Sequence, residues 1–131
     1  MIKFFTKYKI IFYSSNFILI LLYLFPGSLI GCFLYNDCEL QPQITRDYII
    51  SSNHLYAFAI LSLIGFLTYK NSKKIRYLSA YLITVSIFLE IFHNFIPERS
   101  FEYSDLFGNL AGVIIVIIVF NLLKIYENYK I

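Results

Sequence analysis

Charge is what this sequence has least of. Asp, Glu, Lys and Arg together make up 15% of its 131 residues, where a soluble domain carries about 25%. Hydrophobic residues reach 59%, and mean hydropathy is +0.68. That balance excludes a water-soluble fold. It also excludes a disordered chain, which needs high charge and low hydrophobicity. Glycine occurs only five times, and no Walker-type loop, dinucleotide fingerprint or internal repeat is present. Tryptophan is absent, so anchoring at a membrane surface falls to tyrosine and phenylalanine. Regular polar–apolar alternation is missing too, and 131 residues are too few to close a barrel from long apolar runs.

What remains is an integral membrane protein. Crossing about 30 Å of hydrocarbon takes roughly 20 apolar residues, and four stretches qualify: about 10–30, 48–69, 77–96 and 105–125. The first begins after Lys3, Lys7 and Lys9. Its apolar run exceeds the 7–15 residues of a signal-peptide core, so it reads as a retained helix. Nine of the eleven Lys and Arg residues lie in the N-terminal tail, the 70–76 connection and the C-terminal tail. Positive residues stay inside, so both termini are expected in the cytoplasm. The 32–47 and 97–104 loops then face outward. The basic 70–76 connection is a topology signal rather than a nucleic-acid site. The expected fold is all-α: a single domain over 1–131 forming an integral membrane four-helix bundle, N-in and C-in, in a multi-pass cell-membrane protein.

Polar groups within the apolar runs carry the functional signal, because a carboxylate near a helix centre costs about 2.5–3.5 kcal/mol. Glu90 and His93 share one face of the third span, three residues apart. Arg99 follows Pro97, Asp105 and Asn109 open the fourth span, and His54 lies near the outer end of the second. These six are expected to converge on one outward-facing site. Arg99 would take an anion, since a guanidinium forks onto phosphate or carboxylate. Glu90 and Asp105 would position Arg99, and Asn109 would reach Glu90. Interhelical hydrogen bonding without a ligand is the bland alternative.

The string Glu90-x-x-His93-x-x-x-Pro97-x-Arg99, followed by Asp105-x-x-x-Asn109-x-x-Gly112, resembles the signature of the VanZ-like family. His54-Leu-Tyr and Leu24-Phe25-Pro26 resemble that family's second-helix opening and first-helix end, so the resemblance spans roughly 20–116. Two departures stand out: His93 occupies a position where the family usually has Gln, and Ile50-Ser51 stand where it often has Asp-Lys. The resemblance implies a small polytopic envelope protein, in a family named for a teicoplanin-resistance protein. It implies no particular reaction.

Three functional readings follow. The leading one is binding of an anionic lipid-linked or other envelope ligand, or of a glycopeptide, with membrane lipids around it and an effect on teicoplanin susceptibility. The second is a membrane hydrolase or transferase on a lipid-linked substrate, with Glu90, His93 and Asp105 as candidate catalytic groups. The third is a scaffold subunit. No cofactor is expected. A metal site on His54, Glu90, His93 and Asp105 is a minor reading, because only one Glu-x-x-His pair is present and the ligand set singles out no ion.

Three local expectations complete the picture. Gly108-x-x-x-Gly112 should pack within the chain, against the third span. Ser104 should cap the fourth helix. Cys32 and Cys38 either form a disulfide or stay free, since spacing alone gives no distance.

Overall fold

The computed structural model describes the backbone of residues 2–130 and the side chains of 8–130. Lys3 and Lys7, two of the three cations expected to hold the N-terminus inside, lie outside the described side chains. The described residues form five α-helices and one 3-10 turn, with no strand among them. The helices are α1 (Ile2–Leu24), α2 (Leu29–Tyr35), α3 (Ser52–Tyr69), α4 (Ile75–Phe92) and α5 (Tyr103–Tyr129). The α4 helix runs on into the 3-10 turn His93–Phe95. Two helical segments, Ile75–Phe95 and Tyr103–Tyr129, are long and apolar enough to cross a membrane, and α1 with α2 makes a third if the bent pair is one span.

The first apolar stretch is not one straight helix to residue 30. It stops at Leu24, and α2 departs at 84°. The cause is local. Pro26 has no N–H to donate and disfavours helical geometry at Phe25. Gly27 takes φ 78°, and a Cβ there would meet the Cys38 carbonyl oxygen at 2.6 Å. The Ser28 hydroxyl then caps α2 by accepting from the Gly31 N–H at 3.0 Å. Cys32 and Cys38 are joined in a disulfide, so the bonded alternative holds.

The 36–51 connection is tied to the start of α3. Asp47 Oδ1 accepts from the Ser52 N–H at 2.7 Å, the Ser52 hydroxyl donates to the Thr45 carbonyl, and Asn53 holds Ile44 and Pro42. Asp47 is exposed. The Ser52 amide bond is the main reason its carboxyl sits below the usual 3.8.

The tightest seam joins α3 and α5. A Cβ on Gly108 would lie 2.6 Å from the Ser51 carbonyl oxygen, and one on Gly112 would lie 2.5 Å from that of Leu55. The glycine pair therefore packs within the chain, but against the second apolar stretch rather than the third. Around this seam polar groups share the buried interior with Phe58, Leu61, Leu82 and Val113. Ser62, Ser86, Glu90, His93 and Asn109 are buried, while Phe17, Ile60, Leu63, Ile118 and Leu122 are exposed. Apolar faces turned outward and polar groups turned inward suit hydrocarbon as the surrounding solvent.

Candidate functional site

The polar residues meet where the end of α1, the starts of α3 and α5 and the end of α4 come together. His54 occupies the first turn of α3, Glu90 the last turn of α4, and Asp105 the first turn of α5. One ligand-capable atom from each of these three lies within 4.8 Å of the others. His54 Nδ1 is 2.7 Å from the Ser51 hydroxyl and 3.3 Å from Asp105 Oδ1. Glu90 is fully buried, and its Oε1 accepts from the Glu102 N–H at 3.1 Å. Its Oε2 approaches His93 Nδ1 at 3.3 Å but has no aligned hydrogen-bond partner among the described residues.

His93 is oriented by its other nitrogen, since Nε2 lies 3.1 Å from the Tyr23 carbonyl oxygen. A carbonyl only accepts, so Nε2 carries the proton. In the neutral ring, Nδ1 then turns a lone pair toward Glu90 Oε2. That contact is favourable only with a positive charge or a proton between the two atoms.

Arg99 and Asn109 lie at the site, but not with the partners expected. Arg99 makes no ion pair with Glu90 or Asp105 among the described residues. Its guanidinium donates to the carbonyls of Leu22 (3.2 Å), Phe25 (3.3 Å) and Gly27 (2.6 Å). The physical reason is the broken helix. The end of α1 leaves carbonyls without intrahelical donors, and a cation is the natural cap for them. A tight turn delivers the side chain: Glu98 takes φ 62°, and the Arg99 N–H bonds the Ile96 carbonyl at 3.2 Å. Half-burial pulls the Arg99 pKa below its usual value. Asn109 does not reach Glu90 either. Its Oδ1 accepts from the Tyr23 hydroxyl at 2.6 Å, and its Nδ2 donates to the Ser86 carbonyl at 3.1 Å. Ser104 is not the cap of α5: Glu102 holds that position, and the Ser104 carbonyl accepts from the Ser51 N–H.

Tyr23 is the residue that sequence reasoning missed. It is buried, stacks on His93 with ring centres 5.5 Å apart, and meets His54 and Phe58 edge-on. The available signal was a single phenol in an aliphatic run, three residues before Pro26, at the end of the span where the other polar groups gather.

Above the cluster lies a cleft of about 510 Å³ whose lining includes Ser51, His54, His93, Arg99 and Asp105. Glu39, Asp47, Glu98 and Glu102 also line it, which makes Arg99 the one Lys or Arg among five carboxylates. Comparison of the chain with family models, with curated proteins and with solved structures finds no match.

Proposed function

We propose that this chain is a VanZ-like protein of the cell membrane that binds the polar head of an envelope ligand in the acid-lined cleft. In this reading α1, α3, α4 and α5 cross the bilayer as a four-helix bundle. Both termini and the basic 70–76 connection are cytoplasmic, and the cleft opens to the outside. The Cys32–Cys38 disulfide supports an oxidising exterior for that loop. The one observation that carries the reading is a polar cleft with a buried ionisable floor, set at one end of a molecule otherwise dressed in apolar side chains. Intramembrane ionisable groups are costly and usually serve function.

Arg99 is the candidate contact for a phosphate on a lipid-linked precursor. Its Nη1 makes no hydrogen bond among the described residues, so it can still donate after Nε and Nη2 are used. The five surrounding carboxylates favour a head that carries ammonium groups or arrives with a cation over a bare anion. The test is native mass spectrometry of the detergent-released protein titrated with a long-chain polyprenyl phosphate in the presence of MgCl2. A stoichiometric adduct, weakened in Arg99→Lys, is expected. No adduct, or an equal one in both proteins, overturns the ligand reading.

One observation favours a second reading, a hydrolase or transferase on a lipid-linked substrate. His54, Glu90 and Asp105 are acid–base groups within 4.8 Å of one another, His54 and Asp105 lining the cleft and Glu90 buried behind it. Glu90→Gln that binds the polyprenyl lipid but no longer turns over a pyrophosphate-linked form would decide for it.

A further inference from the structure

We infer that His54, Glu90 and Asp105 bind a divalent transition-metal ion, of the Zn2+ or Mn2+ kind, at the floor of the cleft. The site does not depend on the ligand reading above. Its geometry comes first. Three ligand atoms from three helices lie within 4.8 Å of one another, so a single ion among them reaches all three at bonds of about 2.0–2.4 Å once the side chains close in by a few tenths of an ångström.

The second observation is independent of the clustering. Glu90 is fully buried, and its Oε2, 3.3 Å from His93 Nδ1, has no hydrogen-bond partner among the described residues. An orphaned buried carboxylate oxygen is costly, and a cation relieves it. It also removes the conflict with His93, because an ion on Oε2 takes the lone pair that otherwise faces Nδ1.

Chemistry narrows the ion. One imidazole nitrogen and two carboxylate oxygens form a borderline-to-hard set, which suits Zn2+, Mn2+ or Fe2+ rather than a thiophilic ion. The outer contacts are those that metal-binding histidines use. Ser51 holds His54 through Nδ1 at 2.7 Å, which fixes the ring. Three protein ligands leave open positions toward the cleft, where water or a phosphate oxygen can bind. An ion there adds positive charge to a cleft where Arg99 spends Nε and Nη2 on the end of α1. Glu39, Asp47 and Glu98, also in the cleft lining, draw cations toward it.

The experiment is titration of the chelator-stripped, full-length protein in detergent with ZnCl2 and MnCl2, with no polyprenyl lipid present. One saturable equivalent is expected for wild type. At least a tenfold loss of affinity is expected in Asp105→Asn and Glu90→Gln, a loss of about 10–100-fold in Ser51→Ala, and no change in Glu127→Gln, whose exposed carboxylate pairs with Lys70 away from the cleft. Asp105 is only partly buried, so Asp105→Asn decides if Glu90→Gln does not fold. A reading that needs no variant is NMR of the Co2+-loaded wild type, which should show the large contact shift of a ligating ring from one of its two histidines, the other ring, centred 6.5 Å away, showing only the smaller through-space shift. No saturable uptake, unchanged affinity in Asp105→Asn, or no shifted imidazole overturns the site and leaves the Glu90–His93 contact to a shared proton. Metal uptake in a protein that ignores polyprenyl phosphate keeps the site and removes the ligand reading.

Discussion

The Tyr23 hydroxyl donates to Asn109 Oδ1 at 2.6 Å, joining the last turn of α1 to α5 across the polar interior. Because Asn109 also donates to the Ser86 carbonyl on α4, one amide ties three helices together. Tyr23→Phe leaves Asn109 Oδ1 buried without its donor. It should cost about 1–3 kcal/mol, read as a lower midpoint in denaturant or thermal unfolding in detergent. Asn109→Ala should cost at least as much, because it orphans the Tyr23 hydroxyl as well. Equal stability of Tyr23→Phe and wild type would remove this bond from the account.

The α3–α5 seam predicts intolerance to a single methyl group. A Cβ on Gly112 lands 2.5 Å from the Leu55 carbonyl oxygen and 2.8 Å from the Ala59 nitrogen. Both are backbone atoms and cannot rotate away. Gly112→Ala should destabilise by about 1–3 kcal/mol through overpacking, and Gly112→Val by more. A midpoint for Gly112→Ala at or above that of wild type would contradict the packing.

Arg99 predicts a localised effect. Arg99→Ala should release the Leu22, Phe25 and Gly27 carbonyls and raise amide hydrogen exchange across 25–31 first. Arg99→Lys should recover only part of the protection, because an ammonium lacks the planar fork. Uniform exchange over the whole chain would point to global unfolding instead.

Asp47 gives a pH signature. Its pKa is depressed below the usual 3.8 by the Ser52 amide, so the unfolded state takes up the proton first as pH falls. The stabilisation is fully present above about pH 4 and disappears as the pH drops through the depressed value. The protection factor at Ser52, the intrinsic exchange rate divided by the observed rate at each pH, should fall over that acid range in wild type. In Asp47→Asn it should be low already at neutral pH and should not change further with acidification.

The ionisable floor was legible in the sequence for a simple reason. Glu90 sits in an apolar run where a charge is expensive, and His54 and Asp105 fall at the matching end of their own stretches. Their convergence follows from chain direction alone. The role of Arg99 was not legible, because its partners are backbone carbonyls, which every residue has and no letter of the sequence marks. Tyr23 was hidden differently. A tyrosine in an aliphatic stretch reads equally well as a lipid-facing anchor, and only rotation of α1 about its axis decides which way it points. The turn at Pro26-Gly27 lay in plain view, but run length alone carried the helix past it to residue 30. The glycine pair was read as an internal seam, yet its partner helix depended on which neighbours pack around α5, and spacing along one helix carries no information on that.

The 84° turn between α1 and α2 has a mechanical consequence. With α1 upright in a bilayer, α2 lies almost flat, and Ile30, Phe33 and Leu34 are exposed apolar side chains along it. A short greasy segment lying flat settles at the boundary between headgroups and acyl chains. In the membrane reading proposed above it would act as a float, stapled by Cys32–Cys38 and fastened to the rest of the protein through Gly27 and Arg99. The waterline of the molecule would be set there, with the ionisable floor at a fixed depth beneath it.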